Sequence, residues 1–327
     1  MPSRTLLQSL TLFAKGLAMG AADVVPGVSG GTIAFISGIY EELIETIHNL
    51  NFSFFKIWKK EGLKAAWVTF NLGFLVTLFG GVAVSIISLA KLITWLLATY
   101  PVLVWAFFFG LVVASILYVG KQITRFSLSV LIAVFIAAAL SYYITLAEPI
   151  GNTDSTWFLF LAGFIAIIAM ILPGISGAFI LLLLGAYTSV IGTISSFSEG
   201  ILRVDFGQVS NAFLKLITFG IGAIAGLKVF SGVLNWMFKH YKNITLAILT
   251  GFMIGALNKI WPWKEVLKYR VNSHGEEIPF LERSILPANY DGDPQIIAAI
   301  ICTIFGFACI YFLEFTATKK NSKQEIN

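Results

Sequence analysis

The 327-residue chain carries 22 basic and 17 acidic side chains, a formal charge of +5, yet only 12% of its residues are charged and 57% are hydrophobic, with a mean hydropathy of +0.86. A soluble domain carries about 25% charge, so this composition excludes a water-soluble enzyme or binding module, and no nucleic-acid partner is expected. The apolar residues fall in long unbroken runs without the apolar–polar alternation of a membrane barrel, which leaves an all-α polytopic membrane protein.

In chain order, the first apolar segment, about 12–47, is broken near its middle by Pro26-Gly27. Its start superficially looks like a secretion signal, but Lys15 interrupts the run, and the segment reads as mature protein. Spans follow at about 66–90, 102–119 and 128–147. A second broken segment, about 157–197, is interrupted by Pro173-Gly174, and spans close the chain at about 210–235, 243–260 and 294–315. If each broken segment enters and leaves on one side, whether as a re-entrant hairpin or as two full spans of the same parity, one side receives Arg4, Lys15, Lys56, Lys59, Lys60, Lys64, Lys121, Arg125, Lys239, Lys242, Lys319, Lys320 and Lys323. The opposite loops, 148–156, 198–209 and 261–293, are neutral or acidic. The positive-inside rule therefore puts both termini in the cytoplasm.

The broken segments match each other. Val25-Pro26-Gly27-Val28-Ser29-Gly30-Gly31-Thr32 aligns with Leu172-Pro173-Gly174-Ile175-Ser176-Gly177-Ala178-Phe179, and Gly38 and Tyr40 match Gly185 and Tyr187. Further on, Trp95, Tyr100 and Gly110 match Trp236, Tyr241 and Gly251 at a slightly shorter offset. The expected organisation is one transmembrane domain, 1–327, with repeat 1 at 11–120, a linking helix at 121–156, repeat 2 at 157–263, and an outside loop and C-terminal helix at 264–327. Each repeat is a broken hairpin plus two spans, and the odd number of crossings between them inverts the second copy. Inverted repeats with discontinuous helices mark secondary transporters.

A helix broken inside hydrocarbon exposes backbone groups that lipid cannot satisfy. Proline suits a first helical turn, glycine lets a ligand approach the backbone, and a helix N-terminus favours an anion. The expected phosphate-binding residues are therefore Pro26, Gly27, Val28, Ser29, Gly30, Gly31 and Thr32 in one copy, and Pro173, Gly174, Ile175, Ser176 and Gly177 in the other. Lys228 and Lys91, on corresponding spans, are candidate phosphate partners. Asp23, whose counterpart is Met170, and Glu41 are candidate coupling groups, because ionisable residues inside apolar segments are costly and usually functional. No catalytic residue, metal ligand or cofactor is expected: no Gly-Lys-Ser or Gly-Lys-Thr follows the glycines, and no His, Cys or carboxylate cluster has metal spacing. Cys302 and Cys309 share a helix face two turns apart and read as packing residues.

The run from Met19 through Asp23 and Pro26 to Thr32 resembles the signature of the bacterial PopT-type polyprenyl-phosphate transporters, formerly a domain of unknown function. Leu172–Phe179, Gly185-Ala186-Tyr187 and the stretch from Gly251 to Trp261-Pro262-Trp263 are similar to that family as well. The resemblance covers about 11–315, with Ala178 departing from the hydroxyl or glycine usual at that place. It implies return of undecaprenyl phosphate, the carrier lipid of cell-wall synthesis, from the outer to the cytoplasmic leaflet of the bacterial plasma membrane. Two alternatives stand beside it. An undecaprenyl-diphosphate phosphatase would share the Pro-Gly-x-Ser hairpins and the Glu41/Glu45 spacing, but Gly30 and Gly177 occupy the place of its phosphate-holding arginine. A channel or transporter for small anions is the other. The residues leave open the driving force and the oligomeric state.

Overall fold

A computed structural model describes residues 4–24, 29–147, 155–203, 205–271 and 277–324. Val25, Pro26, Gly27 and Val28 of the first motif lie outside these described residues, as does Asn152 of the loop at 148–154. The first half holds α1 (Leu6–Val24), α2 (Gly30–Ile36), α3 (Tyr40–Asn49), α4 (Ser53–Glu61), α5 (Leu63–Thr69), α6 (Leu72–Thr99), α7 (Pro101–Lys121) and α8 (Leu128–Leu146). The second holds α9 (Thr156–Ile171), α10 (Gly177–Leu183), α11 (Tyr187–Arg203), α12 (Phe206–His240), α13 (Lys242–Ala256), strands β1 (Lys264–Val271) and β2 (Glu277–Ser284), and α14 (Ile296–Gln324).

Four of these helices, α6, α7, α8 and α12, are long and apolar enough to cross a membrane, and α9, α13 and α14 contribute shorter apolar helices. The chain is a polytopic helical membrane protein. Its helices divide into pairs that approach closely through glycine. A Cβ on Gly16 of α1 would strike the Leu78 carbonyl of α6, and one on Gly163 of α9 would strike the Phe219 carbonyl of α12. Gly110 of α7 meets the Thr303 backbone of α14, and Gly251 of α13 meets the Val134 carbonyl of α8. Small residues let backbones touch where lipid provides no hydrophobic drive for association. Hydroxyls reinforce two of the seams. Thr303 donates to the Ala106 carbonyl at 3.1 Å, and Ser141 to that of Phe252 at 2.8 Å.

The helices differ from the expected spans in three places. The run 66–90 is not one element: the backbone turns left-handed at Asn71 (φ 50°), so α5 ends before it and α6 begins after it. Between α2 and α6 lie three short helices, of which α3 and α4 are amphipathic. The latter sets Phe55 and Trp58 beside Lys56, Lys59 and Lys60 and buries none of its residues. In the loop 261–293, β1 and β2 form an antiparallel ribbon with an irregular register near Lys268, an element the composition hides among charges. Among the described residues this ribbon is the only strand structure, and the other regular elements are helices.

Both broken segments end their short helix in the same way. After α2, Gly38 takes φ +72°, its N–H donates to Phe35 O, and the Ile39 N–H reaches Ala34 O at 3.0 Å. After α10, Gly185 takes φ +70°, and Ala186 N–H reaches Leu181 O at 2.9 Å. This is the αL stop that glycine adopts without a Cβ penalty.

Candidate functional site

The two broken segments meet, and the first closes the second. Ser29 caps α2: its Oγ accepts from Gly31 N–H at 3.1 Å and donates to the Met170 carbonyl at 3.0 Å. The Tyr40 hydroxyl donates to the Ile171 carbonyl at 3.1 Å, and the Gly174 N–H donates to Thr32 Oγ1 at 2.9 Å. Met170 and Ile171 end α9, where the last carbonyls have no helical partner, and Gly174 lies in the interruption between α9 and α10. Ser29, Thr32 and Tyr40 are each at most 2% exposed, so these three bonds satisfy buried backbone groups that would otherwise be costly. The close fit needs Gly31, because a Cβ there would lie 2.6 Å from Ile171 O.

Asp23 completes the first tip. Its Oδ1 accepts from the Gly30 N–H at 2.6 Å, so a carboxylate already occupies the amide at the start of α2. A Cβ on Gly30 would meet the same carboxylate at 2.6 Å. The second tip is built differently. Ser176 stands at the N-cap of α10 without a side-chain capping bond, and Gly177 packs against the Ala166 carbonyl. Pro173 and Ile175 are buried beside it, and Ile175 packs in a small core with Phe252.

A cavity of about 480 Å³ opens beside the first tip. Gly30, Gly31 and Asp23 form its polar end, Lys228 lies on its lining, and its walls are apolar, with Leu43, Ile47 and Leu50 of the α3 segment facing Leu75 and Phe79 of α6. The Lys228 ammonium donates to Leu50 O at 2.6 Å and also to the His48 carbonyl, which fixes it on the C-terminal carbonyls of α3. A cation is favoured there by the exposed carbonyls and the helix dipole. Lys15 does the same for α2, reaching Ser37 O at 2.5 Å.

Thus Asp23, Gly30, Gly31 and Lys228 share one cavity, Ser29 and Thr32 line the joint behind it, and Pro173, Gly174, Ile175, Ser176 and Gly177 belong to the opposite tip. Lys91 falls within α6, its side chain outside the described residues. Glu41 lies away from the cavity in a 2.8 Å pair with Lys242, next to the Glu45–Lys239 pair at 3.7 Å. In the sequence Tyr40 stands out only as the match of Tyr187, and its bond to Ile171 could not be read there because it joins a side chain to a distant main chain. Among the described residues no His, Cys, Asp and Glu side chains gather as a metal site.

A charged cluster outside the spans flanks the second tip. Lys259 stands 5.0 Å from the Phe179 ring of α10 and 3.4 Å from Glu282 of β2. Lys264 of β1 lies 3.6 Å from the same carboxylate and 3.3 Å from the Trp105 ring centroid of α7. Burial pushes the Lys264 ammonium down to about 7, against the attraction of Glu282. Burial alone would raise Glu282, but the two neighbouring ammonium groups outweigh it and hold the carboxyl below its usual range. Nothing in the sequence pattern pointed to this cluster, although the alternation in Lys264–Val271 is a strand signal.

The VCA0040-like family, described as undecaprenyl phosphate translocase-like, matches residues 19–278. The chain is 45% identical to a polyprenyl-phosphate transporter of Vibrio cholerae over 314 residues, covering 95% of this chain and 97% of that one. It is 32% identical to a polyprenyl-phosphate transporter of Staphylococcus aureus over 260 residues, covering 76% of this chain and 84% of the relative. No solved structure matches at a significant level. With matches of this extent, the chain belongs to the undecaprenyl phosphate translocase-like family.

Proposed function

We propose that this protein carries a polyprenyl phosphate such as undecaprenyl phosphate across the bacterial plasma membrane, from the outer to the cytoplasmic leaflet. The observation that carries the reading is the cavity beside the first tip, whose apolar walls suit an isoprenoid chain and whose polar end suits its headgroup. The phosphate takes the place that the Asp23 carboxylate holds on the Gly30 amide. Two anions cannot share that amide, so binding requires Asp23 to accept a proton or turn away, and in this way Asp23 couples headgroup binding to a second event. Lys228, at the cavity wall, supplies the neutralising charge and exchanges the α3 carbonyls for the phosphate. Ser29 and Thr32 act behind the site: their hydroxyls hold the two tips together while Gly30 and Gly31 face the cavity.

The architecture behind this reading is a pair of inverted repeats, each opening with a re-entrant hairpin. It is supported by matching αL stops at Gly38 and Gly185 and by matching glycine contacts at Gly16 and Gly163. Both termini lie in the cytoplasm on the charge pattern of the loops. A cysteine at Asn152, in a chain freed of Cys302 and Cys309, is expected to react with an impermeant thiol reagent from outside, and one at Asn321 is not.

The test of function is purified protein in vesicles containing labelled undecaprenyl phosphate, assayed for leaflet exchange and for release of inorganic phosphate. Exchange without release is expected, and Gly30→Leu, which fills the polar end and displaces Asp23, abolishes it. Release of phosphate from the monophosphate or diphosphate lipid would instead favour the enzyme, and a folded Gly30→Leu protein with full exchange would remove the headgroup from this cavity.

A further inference from the structure

A second cavity, about 360 Å³, lies between α11 and the start of α12. In contrast to the first, its lining is polar: Ser189, Thr193 and Ser196 from α11 face Gln208, Asn211 and Lys215 from α12. Lys215 is the charged residue on that lining, and no carboxylate accompanies it among the described residues. The place lies at the other end of α12 from the Lys239–Glu45 pair, about 20 Å from Lys228 along the helix at ~1.5 Å per residue. A polar wall with an unopposed cation is costly at the edge of a bilayer unless something occupies it.

The matching corner of the first half shows what such a place holds. On the register that matches Tyr40 with Tyr187, Glu42 corresponds to Ser189 and Thr46 to Thr193. On the register that matches Gly81 with Gly222, Asn71 corresponds to Ala212 and Phe74 to Lys215. In the first half this corner is filled by the Arg4 guanidinium. It pairs with Glu42, donates to Asn71 Oδ1 at 3.4 Å and lies 5.0 Å from the Phe74 ring centroid. Asn71 in turn donates to Glu42 at 2.9 Å and to Thr46 Oγ1 at 3.4 Å. In the second half the carboxylate has become a serine and the aromatic ring a lysine. A corner built around a carboxylate that receives a cation has become one built around an ammonium, with hydroxyl and amide donors beside it. The sign of the occupant is inverted with the sign of the wall.

We propose that the Lys215 cavity is a second anion site that takes a phosphate monoester, held by the Lys215 ammonium with Ser196, Gln208 and Asn211 as donors. An ammonium among neutral donors suits a compact, multiply charged oxyanion. That the phosphate belongs to a polyprenyl lipid rests on the transport reading above; that it is a phosphate does not. On that reading the site receives the headgroup at the membrane face opposite α3 and α4, and the first cavity then takes it inward.

The experiment is calorimetric titration of the full-length protein in detergent with farnesyl phosphate, farnesol and inorganic phosphate. Two sites for farnesyl phosphate are expected. Lys215→Gln weakens one of them about ten- to hundredfold, the loss of one hydrogen bond to a charged group, whereas Lys215→Arg keeps it. Ser196→Ala weakens the same site a few-fold, and inorganic phosphate competes there while farnesol does not. Gly30→Leu removes the other site, so loss of sensitivity to Gly30→Leu alone strikes the transport cavity and leaves this site standing. Unchanged binding in Lys215→Gln, or equal competition by farnesol, overturns the proposal. Uptake of inorganic phosphate without farnesyl phosphate at this site overturns its assignment to a lipid.

Discussion

The two Pro-Gly breaks share a sequence pattern and perform different tasks. At the first, Ser29 caps α2 and every hydroxyl is committed: Ser29 to Met170, Tyr40 to Ile171, Thr32 to Gly174. At the second, Ser176 holds the same N-cap position with no side-chain capping bond, and the backbone of its interruption is what the first tip serves. The difference teaches that a repeated motif does not imply a repeated role. One copy supplies side chains to the joint and the other supplies main chain; only the first carries Asp23 and turns its tip glycines, Gly30 and Gly31, to the apolar cavity, where the second contributes Ile167, Met170 and Ile171 to the wall.

That asymmetry can be broken at one residue. Gly31→Val drives a side chain into the Ile171 and Met170 carbonyls and parts the tips, an overpacking cost of about 3 kcal/mol. The expected result is loss of both thermal stability in detergent and leaflet exchange; a stable, active variant would show that the tips need not touch. Thr32→Val is the next largest. It leaves the Gly174 N–H buried without its acceptor, at about 1–3 kcal/mol, visible as a lowered melting temperature with the lipid site still formed.

A smaller effect, on the second tip's side alone, comes from pH. Lys264 is held at about 7 by burial against an ordinary value of 10.5. Between those values the unfolded chain holds a proton that the folded chain does not, so stability rises with pH there, and the whole cost of the buried charge applies below about 7. From about pH 6 to about pH 8 the gain is roughly 1 kcal/mol, read as a rising melting temperature that Lys264→Met flattens. A slope that survives Lys264→Met belongs to another group. Least of all is Ser176→Ala, expected within about 0.5 kcal/mol because no capping bond is lost. A Ser176→Ala loss equal to that of Ser29→Ala would make the two tips equivalent after all.

Much of this arrangement could be read in the chain. The breaks, the glycines that stop α2 and α10, and the apolar spans follow from local rules, as does the N-cap at Ser29. The joint could not be read, because its bonds run from side chains to main-chain carbonyls more than a hundred residues away and leave no compositional trace. The loop 261–293 was legible only as a charge balance. Leu267, Tyr269 and Val271 alternate with Lys268 and Arg270, a strand signal, but the burial of Lys264 against Trp105 depends on where α7 begins. The run 128–147 read as a spare linking span, whereas its Val134 and Ser141 seat α13. The small residues Gly251 and Gly255 were the available hint.

That last pairing has a consequence for how the protein is made. The glycine face of α7 is covered by α14, which leaves the ribosome after the other described helices, and α8 waits for α13. Neither half can finish its own packing, so the first half must persist in the bilayer with these seams open until α13 and α14 arrive. A chain truncated before residue 296 would present Gly110 to lipid or to quality-control proteases, whereas two halves made as separate polypeptides in one cell would find and complete each other.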